Sequence, residues 1–317
     1  MTTAITGSSE HSEPSVLRSA GRAGLLLVLA AVAVSVAGCG GGEEAGPEPF
    51  TIGAIPDQDP EVLQRTYGTL SSYLEEQLGV PVRYEPVTDY TAAVTAFRVG
   101  DLDMVWFGGL TGVQARIQVE GARAIAQRAI DEQFHSVFVA NRESGIAPFD
   151  SLDGLSRLAG HSFTFGSQIS TSGRLMPQYY LGEAGVELED FEGDPGFSGS
   201  HDKTIKLVEA GTYEAGALNE QVWRSRLESG DVDTTAVQVI WRTPPYYDYH
   251  WVIRPGLEER YGEGFVGRVE KAFLSLDGDT EREKTILGLF GAEEFIPTEN
   301  ANYRKIEAVG RQIGRIK

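Results

Sequence analysis

Apolar and polar positions along this chain follow two periods, and the switches between them mark out its elements. "FTIGAIP" at 50–56 is a short apolar run of the kind a buried strand shows, and Asp59 then Pro60 supply a helix cap and a proline at the first helical position. Leu63, Tyr67, Leu70, Tyr73, Leu74 and Leu78 recur at helical spacing up to Gly79, a natural stop. "VRYEPV" returns to the strand pattern, "YTAAVTAFRVG" is a short helix ending at Gly100, and "DMVWFG" is a continuous apolar strand. "LTGVQARIQVEG" reads as a helix, and "AIAQRAI" and "FHSVFVAN" as strands. Strand and helix alternating in this way predict a mostly parallel sheet covered on both faces.

A second series of the same kind follows "RESGIAPFDSLDGL", a stretch punctuated by Gly, Pro and Asp at 142–155. It runs through "SFTFG", a helix after Ser172, "DPGFSGS", a helix from His201 to Ala210, "AGALNE" and "VQVIW". Two prolines in "RTPPYYDY" interrupt it, and "HWVIRPG" reads as a returning strand. From Leu257 to Lys317 the pattern is mainly helical, with Phe265, Val269, Ala272, Phe273 and Leu276 on one face. The whole predicts a two-lobed α/β clamshell with crossings near 140 and near 242: residues 50–141 and 243–317 form lobe 1, residues 142–242 form lobe 2, and a cleft lies between.

The segment before residue 50 has a different character. Arg18 and Arg22 precede sixteen uncharged residues, "AGLLLVLAAVAVSVAG", which end at Cys39, the only cysteine of the 317 residues. Residues 1–38 read as a signal peptide, too short and Ala-rich for a good permanent span. Val36-Ala37-Gly38-Cys39 resembles the bacterial lipobox, in which cleavage leaves the cysteine as a lipidated N-terminus. Residues 39–49, "CGGGEEAGPEP", have the composition of a flexible tether. This predicts a protein held by lipid on Cys39 at the outer face of the cell membrane. With that thiol acylated none is left for a disulfide, so the fold depends on its core.

Charge narrows the partners. The net charge of −19 makes nucleic acid or an anionic bilayer surface unfavourable, and the two leader arginines cancel Glu10 and Glu13, so processing leaves that value unchanged. An anion site in such a chain must work through local dipoles.

Two helix starts offer them. In "GSQISTSGR" at 166–174, Pro177 places the helix start near Gly173, so Ser170, Thr171 and Ser172 sit at or just before the first turn. Unpaired backbone N–H groups and the positive end of the helix dipole favour an anion there, and the hydroxyls add neutral donors. Taken singly, such a run is an ordinary cap. "FSGSHDKTIKL" places Ser200 at a cap and His201 in the first turn, where the dipole disfavours imidazolium and a neutral ring offers one N–H. Tyr90, in "TDYTAAV", stands at the mouth of a first-lobe helix.

At these residues a resemblance appears. "STSGRLMPQYYL" at 170–181, "GSHDKTIKLVEAGTYEAGALN" at 199–219, "TDYTAAVTAFRVGDLDMVWFG" at 88–108 and the lipobox together resemble the phosphate/phosphonate-binding proteins of ABC importers. "IPDQDPEVLQ" and "TPPYYDYHWVIRPGL" are similar to a subgroup named for selenate binding. The similarity covers roughly residues 50–310 and implies the type II periplasmic-binding-protein fold for the clamshell. It implies that Ser170, Thr171, Ser172 and His201 hold an oxyanion together with Tyr90 from the first lobe. Two departures follow from the same comparison: Phe134 stands where phosphonate binders carry a second tyrosine, and of two acids that grip an aminophosphonate ammonium, Asp248 is kept while the other falls near Gln221. A cationic tail needs paired charge in a buried site, so these departures favour a bare oxyanion.

The expected function is therefore capture of a small tetrahedral oxyanion in the cleft and its delivery to an ABC permease with its ATPase, with selenate or a relative first and phosphonate, phosphite or phosphate as the alternative. Asp248 would separate them, since a carboxylate acceptor selects an oxyanion that still carries a proton. No enzymatic activity, cofactor or metal is expected, and a monomer is. A lipid-anchored hydrolase built on His201 and Asp202 is disfavoured because adjacent side chains diverge on a helix and no G-x-S-x-G occurs. A metal site is disfavoured because histidines 135, 161, 201 and 250 lack local ligand spacing.

Overall fold

The computed structural model describes residues 48–317, so the signal peptide, the lipobox with Cys39 and most of the tether lie outside the described residues. From Phe50 the chain lays down β1 (Phe50–Ala54), α1 (Pro60–Leu78), β2 (Val82–Tyr84), α2 (Tyr90–Val99), β3 (Met104–Phe107), α3 (Gly109–Gln118) and β4 (Arg123–Arg128). The local signals act as expected. The Asp59 side chain accepts from the Glu61 N–H at 2.9 Å, Pro60 opens the helix, and Gly79 closes it in the left-handed region at φ 69°.

The chain then crosses to a second sheet through β5 (Ser136–Asn141), β6 (Phe163–Phe165), α4 (Met176–Glu183), β7 (Gly196–Phe197), α5 (His201–Glu209), β8 (Ala215–Asn219), α6 (Glu220–Glu228) and β9 (Val237–Arg242). It returns with β10 (His250–Ile253), α7 (Leu257–Tyr261), α8 (Phe265–Leu274), α9 (Glu281–Phe290), β11 (Phe295–Pro297) and α10 (Arg304–Gln312). The first sheet has the order β11-β4-β10-β3-β1-β2 and the second β7-β6-β8-β5-β9.

Two expectations need correction. Strand β5 pairs antiparallel with β8 and β9 in the second sheet, so the first crossing is at residues 129–135 and not at 142–155. All six residues of β5 are buried, and such a strand reads the same whichever sheet it joins. The sheets are also mixed: β1 is parallel to β2 and β3, but β10 is antiparallel to β3 and β4, and β11 is antiparallel to β4. The reason lies in the crossings. β5 and β10 each arrive directly from the other lobe, without the helix that a parallel connection requires, and enter the middle of the sheet in the opposite sense.

The crossings run side by side, joined by reciprocal backbone bonds between Phe134 and Tyr246 of 2.9 and 3.0 Å. Apolar packing fixes each lobe. Trp106, Trp251, Tyr67, Phe290 and Phe295 form one aromatic cluster, and Phe138, Phe163, Phe165, Phe191 and Trp241 form another. The predicted face is buried, with Phe265, Val269, Ala272 and Phe273 on α8 and Leu276 just beyond it.

Candidate ligand-binding site

Ser170 caps the helix that follows β6, its Oγ accepting from Gly173 N–H at 3.0 Å. The first turn, Thr171–Leu175, is a wide π turn in which Leu175 N–H reaches back to Ser170 O at 2.9 Å. Pro177 contributes to this shape. It has no N–H for the carbonyl of Gly173, and that carbonyl accepts from Gly166 at 2.8 Å instead, tying the helix start to the end of β6. A side chain at Gly173 would meet Ser170 Oγ at 3.0 Å and His201 Cε1 at 3.2 Å, so glycine lets the hydroxyl run and the histidine approach.

These groups come together with residues of the first lobe. The N-terminus of α3 has no capping side chain of its own. Its donors are taken up by Asp248 Oδ1, which accepts from Gly109 N–H at 2.8 Å, and by Thr171 Oγ1, which accepts from Leu110 N–H at 2.9 Å across the cleft. Tyr90 opens α2 behind the cap Asp89, is 2% exposed, and turns its hydroxyl toward Ser170 without a hydrogen bond of normal geometry. Ser172 is buried, and its carbonyl accepts from Ser136 Oγ at 2.7 Å.

Behind them is a network that sequence reasoning did not find. Tyr249 donates to Asp57 Oδ2 at 2.7 Å, so its oxygen accepts from Asn219 Nδ2 at 3.1 Å and from His201 Nε2 at 3.3 Å. His201 Nδ1 accepts from Asn219 N–H at 3.4 Å. These partners fit the neutral Nε2–H tautomer, and burial drives the His201 pKa down to about 4. Burial also raises Asp57 to about 6 and Asp248 to about 7, while Tyr90 is pushed well above its ordinary value and stays a donor. Asp57 and Asn219 each follow an otherwise apolar run, and that polar residue at a strand mouth was the available signal, whereas Tyr249 closes the polar crossing "TPPYYDY" with nothing to single it out.

Two buried polar atoms here have no partner among the described residues: Tyr90 Oη and Asp248 Oδ2. One is a donor; the other accepts when ionised.

The wall beside Tyr249 is built around Arg128. Its guanidinium pairs with Asp131 at 2.6 Å and lies over Trp106, Tyr249 and Phe134 at 5.3, 5.1 and 5.8 Å. Gln221 bonds it through Oε1 and gives its amide to Phe290 O and Gly291 O at 3.0 and 2.7 Å. Gln221 therefore sets a neutral amide against a fixed cation. Asp202 faces Asp59 N–H at 2.7 Å and Arg226 Nε at 2.6 Å, away from any relay with His201. Among the described residues no three His, Cys, Asp or Glu side chains are placed to hold a metal ion.

Two lobes joined by paired crossings, with hydroxyl donors, a neutral histidine and a tyrosine meeting where helices begin, define a solute-binding protein of the periplasmic type. The chain belongs to the family described as ABC transporter, phosphonate, periplasmic substrate-binding protein, whose model matches residues 52–303. It is 48% identical over 274 residues to the "Probable ABC transporter phosphite binding protein PhnD1" of Prochlorococcus marinus (strain MIT 9301), covering 86% of this chain and 92% of that protein. It is 29% identical to the phosphate-import protein PhnD of Mycolicibacterium smegmatis, over 68% of this chain and 71% of the relative. The structure of the Prochlorococcus PhnD1 in complex with methylphosphonate superposes with a TM-score of 0.84, covering 86% of this chain and all of that one. A binding-protein component of an ABC phosphonate transporter from Pseudomonas aeruginosa, 21% identical, shares the fold with a TM-score of 0.71 over 83% of this chain and 85% of its own. These relatives are substrate-binding proteins and not enzymes, which sets the hydrolase reading aside. Among the described residues no helix is long and apolar enough to cross a membrane.

Proposed function

We propose that this chain captures phosphite and small alkylphosphonates such as methylphosphonate, and hands them to the permease of an ABC importer while anchored by lipid on Cys39. The observation that carries the ligand assignment is the pair of unpartnered buried atoms, Tyr90 Oη and Asp248 Oδ2. A hydrogen phosphite or hydrogen phosphonate ion satisfies both, accepting from Tyr90 through an ionised oxygen and donating to Asp248 through its remaining P–OH. Selenate is fully ionised near neutral pH and has no proton to give Asp248, so it would set charge against charge there. The phosphite and methylphosphonate attached to the 48% identical relative support the same choice, which replaces selenate as the first expectation. Ser170, Thr171 and Ser172 supply the oxyanion donors, His201 turns its Nε2–H from the 3.3 Å contact with Tyr249 to the ligand, and closure brings Tyr90 onto them from the other lobe. The Arg128–Gln221 wall disfavours an aminoalkyl tail.

The test is a thermal-shift and calorimetry panel with phosphite, methylphosphonate, phosphate, 2-aminoethylphosphonate and selenate. A true ligand at 100 times its dissociation constant adds about 2.7 kcal/mol of stability. Phosphite and methylphosphonate should stabilise the wild type, and Ser170→Ala should abolish the effect. Stabilisation by selenate alone would sink the phosphorus assignment.

A further inference from the structure

A groove of about 830 Å³ spans the two lobes away from the site just described, lined by Arg174 and Phe197 of the second lobe and by Arg315 beyond α10. The carbonyl of Arg315 is held by Gln114 Nε2 of α3 at 2.9 Å, which fixes this residue to the first lobe. Arg174 is 1% exposed, and among the described residues its Nε and Nη1 have no hydrogen-bond partner. Its guanidinium lies over the rings of Phe165 and Phe197 at 4.1 and 5.0 Å, which offsets part of the charge but accepts none of the in-plane N–H bonds. Arg315 Nε is also buried without a partner, and its charge acts repulsively on Arg174. Glu189 and Asp194 line the same groove, yet among the described residues neither forms an ion pair with either arginine. A buried cation without a counter-charge is costly, and two that converge are more so.

We propose that Arg174 and Arg315 form a second anion site, separate from the Ser170 and His201 site, that takes a small tetrahedral oxyanion of the sulfate or phosphate class. Guanidinium forks match such an anion with paired, charge-assisted bonds. An anion held between them would join the lobes at a point the Tyr90 and Ser170 contacts do not reach.

Crystals of the protein grown with selenate at about 1 mM, a concentration that only a specific site fills well, would be measured at the selenium absorption edge. The expected result is an anomalous peak within hydrogen-bond distance of both guanidinium groups, lost in Arg174→Gln and in Arg315→Gln. A peak, or none, beside Ser170 and His201 reports separately on the proposed function. In solution, the Arg174 Nε–H resonance should move and saturate as sulfate is titrated, with about tenfold weaker binding in Arg315→Gln. That variant removes one of two mutually repelling cations at a half-buried position, so its ligand-free melting temperature should not fall below wild type. An empty groove, a peak that persists in Arg174→Gln, or a resonance that never saturates would overturn the proposal.

Discussion

Replacing Asp248 by asparagine tests whether its carboxyl holds a proton near neutral pH. Asp248 is fully buried, Oδ1 accepts from Gly109 N–H at 2.8 Å, Oδ2 has no partner, and desolvation raises the pKa from the ordinary 3.8 to about 7. A displacement of roughly three pH units corresponds to about 4 kcal/mol. The sign follows from the direction: a carboxyl that titrates higher folded than unfolded favours the fold fully below pH 3.8, and the contribution is lost as the pH rises through 7. About 3 kcal/mol of it disappears between pH 5 and pH 8. Asparagine keeps the acceptor for Gly109 and cannot ionise. Its unpartnered amide costs about 1–3 kcal/mol, but equally at both pH values, so the comparison removes it. Urea unfolding of ligand-free wild type and Asp248→Asn at pH 5 and pH 8 should show the variant gaining about 3 kcal/mol relative to wild type at the higher pH. A gain below about 1 kcal/mol would mean that Asp248 ionises as readily in the folded as in the unfolded chain, and burial as the cause of a raised pKa would be refuted.

Other consequences can be checked independently. His201, driven down to about 4 by burial, should keep a neutral ring in NMR spectra to below pH 5, and the stability it contributes is present above pH 6.5 and lost as the pH falls toward 4. Gly112→Ala would place a methyl group 2.4 Å from His250 Cε1 and Nε2, a clash expected to cost about 1–3 kcal/mol in urea unfolding. Because Asp57 and Asp248 are raised by burial to about 6 and about 7, an anion bound between them should draw in protons at pH 8. Calorimetry in buffers of different ionisation enthalpy should show net proton uptake, and a heat independent of buffer would contradict it.

What could be read from the sequence was whatever depends on neighbours along the chain. The caps at Asp59, Ser170 and Ser200 and the stops at Gly79 and Gly100 are local, and the structure has each of them. The two lobes followed from the alternation of elements. Strand direction did not, because β5 and β10 are antiparallel only by virtue of arriving from the other lobe, and nothing within "SVFVAN" or "HWVI" records where the chain came from. β11 was missed because three residues, one of them Pro297, are too short to show a period, and the strand exists by pairing with β4.

The same distinction explains the site. Ser170, Thr171, Ser172 and His201 announce themselves at helix starts, whereas Asp57 and Tyr249, 192 residues apart, acquire meaning only when folding puts 2.7 Å between them. Burial then alters their chemistry in a way no spacing reveals. A chain of net charge −19 can receive an anion beside two carboxyls because burial raises Asp57 to about 6 and Asp248 to about 7, close enough to neutrality for an anion to bind together with a proton. The acidity that argued against nucleic acid and an anionic bilayer belongs to the chain as a whole, and the cleft is set apart from it by neutral donors, a neutral imidazole and two acids whose pKa values burial raises. Ligand choice then turns less on total charge than on which oxyanion brings a proton of its own to Asp248.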